Sequence, residues 1–252
     1  MMRSEVKSWW REFFESPDAF PLSCFPEPDV TVQQVRGIKQ LLGLRPDELV
    51  ADICCGHARH TLPLAADGYQ LVGLDISEMM LYVAGQLARD AKLRLRLVRG
   101  LAQQLPFADG VFDVALNLFN SLGYMDDHDN EAVLCEIARC LKPGGRLLLD
   151  TRNKKFQILY APYREKVTLA DAKPALLQCT YDRDNSRLNS VWSNTADPAD
   201  VYHTASIRLY SPAQIEKLLT GAGFVVNGRY SEYDGTTFQG FERQLIYLCT
   251  KR

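Results

Sequence analysis

The chain predicts an α/β fold: an open, mostly parallel sheet with helices on both faces and a small antiparallel cap inserted after the fifth strand. Three observations carry this reading. An apolar run, Leu49-Val50-Ala51-Asp52-Ile53, passes through the small-residue turn Cys54-Cys55-Gly56 into a helical stretch, which is the strand–turn–helix opening of a nucleotide-binding βαβ unit. A second apolar run ends on Asp75, 23 residues after Asp52, about where a ribose-binding carboxylate stands in such a unit. From about 153 to 210 the pattern changes to short alternating segments joined by Asp182-Arg183-Asp184-Asn185-Ser186 and Asp197-Pro198-Ala199-Asp200, which reads as antiparallel strands.

Length and composition bound the rest. At 252 residues and 46% hydrophobic content the chain supports one sizeable core with a small appendage, so residues 1–252 are read as a single domain. A net charge of −2 with well-mixed signs gives no basic field for a long nucleic acid. The run Lys92-Leu93-Arg94-Leu95-Arg96-Leu97-Val98-Arg99 alternates at period two through Leu97 and reads as a strand with one solvated basic face. The seven cysteines are odd in number and form no Cys-x-x-Cys pair or Cys/His ligand set, so reduced thiols in a cytoplasmic protein, with no metal, are expected. Cys135 and Cys140 are expected in a helix as small core residues. No signal-peptide core and no transmembrane run is read.

In order, a helix over 3–15 carries Trp9, Trp10, Phe13 and Phe14 on one stripe. That stripe reads either as core packing or as a lid over the cleft, and residues 1–45 are taken as an N-terminal helical lid. Pro17, Pro21, Pro26 and Pro28 then suggest a loop, and a helix over 31–43 ends at Gly43. The first strand is expected at 48–54, its helix at 57–67 with Gly68 closing it, and the second strand at 70–75. Ser77 is an N-cap for a helix over 78–90 that turns Met79 and Met80 inward. Strands follow at 93–98 and 111–118, then a helix at 128–140. Pro143-Gly144-Gly145 makes a turn before the fifth strand. The cap occupies 153–210. Ser211-Pro212 opens the last helix, which ends at Gly221-Ala222-Gly223, and terminal strands come at 224–226 and 243–249.

The stretch Val50-Ala51-Asp52-Ile53-Cys54-Cys55-Gly56-His57-Ala58 resembles motif I of the class I S-adenosylmethionine (SAM)-dependent methyltransferases, hydrophobic-Asp-hydrophobic-Gly-Cys-Gly-x-Gly. Cys54 stands at the first glycine and Ala58 at the last. Leu101-Ala102-Gln103-Gln104-Leu105-Pro106-Phe107 resembles that family's Asp-Ala-x-x-Leu-Pro-Phe, with Leu101 in place of the acid. Leu141-Lys142-Pro143-Gly144-Gly145 and the last helix and strands are similar as well. The resemblance implies a Rossmann-like sheet of seven strands, the last inserted antiparallel.

It also implies SAM as cofactor, leaving as S-adenosylhomocysteine. The cofactor would lie on Asp52, Cys54, Cys55, Gly56, His57 and Ala58. Asp75 would take the ribose hydroxyls, with Ile76 and Met80 beside it. Leu101 and Ala102 would read the adenine, helped by Gln103, and Asn117 would bond the methionine moiety. Phe119-Asn120-Ser121-Leu122-Gly123-Tyr124, after the fourth strand, resembles the small-molecule N- and O-methyltransferases. Tyr124 would orient or deprotonate an acceptor, or else be a buried tyrosine with a satisfied hydroxyl. In the cap, Arg152, His203, Arg208 and Tyr210 are the polar candidates. His203 and Arg208 are carried as tentative catalytic groups, and Arg208 and Tyr210 share a strand face.

The function expected is methyl transfer to N, O or C of a small molecule, with no nucleic-acid or membrane partner and an oligomeric state left open. A general base is dispensable for a neutral amine. Two other classes remain: a SAM-binding protein without catalysis, kept alive by Cys54, Ala58 and Leu101, and a nicotinamide-dependent oxidoreductase. The latter's glycine pattern is met at Gly56 but not at Cys54 or Arg59.

Overall fold

A computed structural model describes residues 9–16, 28–169 and 172–252. The main sheet has seven strands: β1 (Leu49–Ile53), β2 (Gln70–Asp75), β3 (Arg96–Arg99), β4 (Phe112–Asn117), β5 (Leu141–Arg152), β10 (Phe224–Tyr230) and β11 (Gln244–Lys251). Their order is β10-β11-β5-β4-β1-β2-β3. β1, β2, β3, β4 and β5 pair in parallel, while β11 runs antiparallel to both β5 and β10. The expected sheet and its antiparallel insertion are therefore present.

The central strands are buried on both faces, as near-continuous apolar runs require. Alternate residues divide between two cores. Ala51, Ala115, Leu147 and Leu149 pack under α5 (Asp127–Cys140) and α7 (Pro212–Gly221), through Leu134, Ile137, Ile215 and Leu219. Val50, Val114, Leu116 and Leu148 pack under α2 (Pro28–Leu42) and α3 (Thr61–Ala66), through Val35, Ile38, Leu42 and Leu64. Helices are sited by local chemistry. The Ser77 hydroxyl accepts from Met80 N to cap α4 (Glu78–Asp90), and Ser211 with Gln214 closes a reciprocal capping box on α7.

Several expected bounds shift. Pro28 is the first residue of α2 rather than part of a loop, a position where its missing N–H costs nothing. The other three prolines and Cys24 lie outside the described residues, as do residues 3–8 of the first helix; its described part, α1, is Trp9–Glu15. The helix expected at 57–67 begins only at Thr61, because the turn needs residues up to His60. β3 is shorter than expected. Cys140 is buried, but Cys135 is exposed on α5.

The cap is a separate antiparallel sheet, β6 (Tyr163–Thr168), β7 (Pro174–Asp182), β8 (Arg187–Asn194) and β9 (Val201–Arg208), in that order. Two elements were not foreseen: α6 (Lys154–Tyr160), capped by Asn153, and β6, an edge strand with only Val167 buried. The cap has its own core, in which Phe13 of α1 joins Leu177, Leu188 and Trp192. α1 bridges the two sheets. Trp9 Nε1 donates to Ser206 O at 3.0 Å, Ser77 Oγ donates to Phe14 O at 2.7 Å, and the Glu15 carboxylate accepts from Glu78 N at 2.9 Å.

Candidate functional site

The carboxyl ends of the parallel strands open into a cleft enclosing about 1070 Å³ including its mouth, on the edge where such sheets bind ligands. Its floor is the turn after β1. Cys54, Gly56 and Ala58 have φ of +65°, +55° and +65°. Left-handed residues thus stand at all three places where the resembled motif carries glycine. A non-glycine residue there costs about 1–2 kcal/mol, so the fold holds this loop against a preference.

What holds it is Asp75. Its Oδ2 accepts from Gly56 N at 2.8 Å and its Oδ1 from Ser77 N at 2.9 Å. Each oxygen keeps a second lone pair for a ligand hydroxyl. Burial raises the Asp75 pKa, and those two N–H donors oppose the rise. Asp52, fully buried under the turn, accepts from Thr61 Oγ1 at 2.5 Å, and burial pushes its pKa up to about 6. Burial likewise drives the Cys54 and Cys55 thiols up, so neither is a thiolate at neutral pH. Gly73 gives the loop room: a Cβ there would lie 2.9 Å from Cys55 Sγ.

Past β4 the chain is less settled. Asn117 is fully buried; its Nδ2 donates to Ile53 O at 3.0 Å, while its Oδ1 has no partner. Phe119 and Asn120 follow at φ +58° and +64°. This second left-handed turn is pinned from β5, where Asp150 Oδ2 accepts from Phe119 N at 3.1 Å and from the Tyr233 hydroxyl at 2.7 Å. Burial pushes Asp150 up to about 6 as well. Arg59 spans the gap to α2. Its Nη1 donates to Thr31 Oγ1 at 2.9 Å and to Gln34 Oε1 at 2.7 Å, and its guanidinium lies 4.9 Å above the Phe119 ring. His60 Nε2 shares Gln34 Oε1 at 3.1 Å. Burial lowers the pKa of His57 and, further, of His60, and the Arg59 charge adds to both.

The mouth is apolar. Trp10 and Phe14 of α1 line it, with Met125 and Tyr124 from the segment after β4. The Tyr124 ring lies 5.1 Å from Trp9 and 5.6 Å from Phe14, so α1 and this segment form one aromatic wall.

Most residues singled out in the sequence meet here. Asp52, Cys54, Cys55, Gly56 and His57 line the cleft from the β1 turn. Asp75, Ile76 and Met80 line it after β2, Leu101, Ala102 and Gln103 after β3, and Asn117 and Tyr124 at and after β4. Ala58 is fully buried behind the turn, and Met79 is not among the lining residues.

The two cap candidates lie elsewhere. His203, on β9, packs its ring 5.8 Å from Phe13 in a groove with Trp9 and Tyr202. Arg208 is paired with Asp127 at 2.8 Å and stacks on Tyr210, whose hydroxyl donates to the same carboxylate at 2.7 Å. Arg208 and Tyr210 do point together, but toward α5 rather than into the cleft. Sequence reasoning missed Arg59, Phe119 and Asp150. Asp150 ends an apolar run, Leu147-Leu148-Leu149, just as Asp52 and Asp75 end or close theirs, so that signal was present. Among the described residues no cluster of His, Cys, Asp and Glu could hold a metal, and no helix is long and apolar enough to cross a membrane.

Residues 50–145 match the family model described as a methyltransferase domain. A demethylmenaquinone methyltransferase of Mycolicibacterium vanbaalenii is 37% identical over 132 residues, which cover 51% of this chain and 54% of that one. The chain thus spans about half the length of the curated relatives it matches. Among solved structures, the CcbJ methyltransferase from Streptomyces caelestis superposes with a TM-score of 0.76 at 20% identity, over 93% of this chain and all of that one. A SAM-dependent methyltransferase from Clostridium acetobutylicum superposes at 0.75 with 17% identity, over 91% and 94%.

Proposed function

Through residues 50–145 the chain belongs to the class I SAM-dependent methyltransferases, and from that premise we propose that it transfers the methyl group of SAM to a small-molecule acceptor. The observation that carries the proposal is the left-handed turn Cys54–Ala58 pinned by the Asp75 carboxylate. The residues present fit the cofactor. Asp75 offers lone pairs for two ribose hydroxyls, and the bonds from Gly56 and Ser77 fix its orientation in advance. Leu101 and Ala102 flank the adenine with backbone groups and apolar side chains. The unpartnered Oδ1 of Asn117 accepts from the amino-acid ammonium.

When bound, SAM supplies an electrophilic methyl on a sulfonium, so the protein's task is to hold and align. Orientation of this kind supplies up to roughly 7–11 kcal/mol of barrier lowering. Trp10, Phe14 and Tyr124 exclude water from the transfer axis, and the Tyr124 hydroxyl orients the acceptor. In this reading α1 is the lid and the β6–β9 sheet the acceptor-side cap. The apolar mouth and the relatives' name, demethylmenaquinone methyltransferase, favour a small molecule over a macromolecule. His203 and Arg208, which lie outside the cleft, take no part.

Thermal unfolding with SAM, S-adenosylhomocysteine and NAD tests the proposal. At 100 times its dissociation constant a ligand stabilises by about 2.7 kcal/mol, a rise of several degrees at roughly 2–4 °C per kcal/mol. A rise with the two sulfur ligands alone is expected; a rise with NAD alone overturns the reading. Asp75→Ala should weaken S-adenosylhomocysteine binding by about 1.5–3 kcal/mol, as for a lost charge-assisted bond, and unchanged affinity in titration calorimetry removes the ribose assignment.

A further inference from the structure

Arg59 is the one arginine or lysine among the described residues that line the cleft, whose charged groups are otherwise the carboxylates of Asp52 and Asp75. Its side chain is set in place. Nη1 is clamped by Thr31 and Gln34 of α2, and the guanidinium rests on the Phe119 ring. Phe119 is in turn fixed by the bond from its amide to Asp150 on β5. Nη2 is buried and has no hydrogen-bond partner. A buried charged donor left unmade is costly, and one held on three sides is aimed rather than idle.

We propose that Nη2 of Arg59 binds a ligand carboxylate over the ends of β4 and β5, across the cleft from Asp75. The chemistry selects the class. Nη1 is already engaged, so Nη2 is the terminal nitrogen left for a ligand, and the charges of the buried acids Asp52 and Asp150 already act on the guanidinium. A monoanionic carboxylate meets both conditions, whereas a phosphate dianion would bring a second negative charge toward those two carboxylates. The carboxylate has two possible sources, the amino-acid end of the cofactor or the acceptor. The inference rests on the methyl-transfer reading.

The test compares wild type with Arg59→Met and Arg59→Lys by titration calorimetry. The probes are S-adenosylhomocysteine and decarboxylated S-adenosylhomocysteine, which keeps the amine and lacks only the carboxylate. If the cofactor is the source, wild type prefers S-adenosylhomocysteine by about ten- to a hundredfold; Arg59→Met loses the preference and Arg59→Lys keeps part of it. The comparison is between two ligands on the same variant, so a general loss of stability cancels. If the acceptor is the source, the preference is the same in all three proteins. Benzoate then raises the unfolding temperature of the S-adenosylhomocysteine complex of wild type but not of Arg59→Met. An equal preference together with no benzoate effect on any protein overturns the proposal. Failure of wild type to bind either nucleoside is a different result: it removes the methyl-transfer reading, and the carboxylate subsite with it.

Discussion

The two ends of the cleft are built on different principles. At the β2 end, both Asp75 oxygens meet backbone N–H groups, and the turn they brace is closed before any ligand arrives. At the β4–β5 end, Asn117 Oδ1, Asn120 Oδ1 and Arg59 Nη2 are buried without partners. Buried polar atoms are nearly always satisfied. Two of these groups, on Asn117 and Arg59, belong to residues that line the cleft, and they mark the end where recognition is still to be completed by a ligand; the β2 end has its turn already braced.

The largest effect expected on this contrast comes from Gly123, which joins the β4–β5 end to the cap. It has φ +113°, and an added Cβ would lie 2.5 Å from Arg208 O. Gly123→Ala should destabilise the chain by about 3 kcal/mol or more in denaturant unfolding; a loss below about 1 kcal/mol would mean that the junction yields.

Next comes pH. Burial raises folded Asp150 from 3.8 to about 6. The fold therefore favours its protonated form, and that stabilisation is full below about pH 4 and lost as pH rises to about 6. Asp150→Asn removes the titration, so variant stability relative to wild type should rise between pH 4 and pH 7 by up to about 3 kcal/mol. Asp52 titrates in the same window but is present in both proteins and cancels. A pH-independent difference would show that Asp150 is not desolvated.

Asn117→Ala should cost about 1–2 kcal/mol of S-adenosylhomocysteine affinity, and calorimetry showing no loss would make its Oδ1 a structural defect instead. The smallest effect belongs to the finished end. Cys54→Gly relieves a left-handed side chain worth about 1–2 kcal/mol but restores unfolded-chain entropy of about 0.4–1 kcal/mol. A small gain in thermal midpoint is expected, and a fall would show that the thiol packs better than a glycine turn.

How legible each end was in the sequence follows the same division. Asp52, Gly56, Asp75 and Ser77 lie within one βαβ unit, and local spacing placed them all. Arg59 depends on Thr31 and Gln34, and Asp150 on Tyr233, which lies 83 residues away; no local pattern announces such pairs. α6 is short, and β6 buries a single residue, so neither carries a periodic signal. His203 and Arg208 were singled out by residue type and strand period. Those fix which face of a strand a side chain shares, not which neighbour that face meets.

The Cys54–Ala58 loop bears on how such chains drift. Its requirement is written in dihedral angles, left-handed at alternate positions, and only by habit in the letter G. A lineage can exchange its glycines one at a time for other small residues. Each step costs about 1–2 kcal/mol out of a total stability of roughly 5–15 kcal/mol, and a single well-placed core methyl or cap elsewhere offsets most of it. The cradle therefore outlives the spelling by which it is usually found.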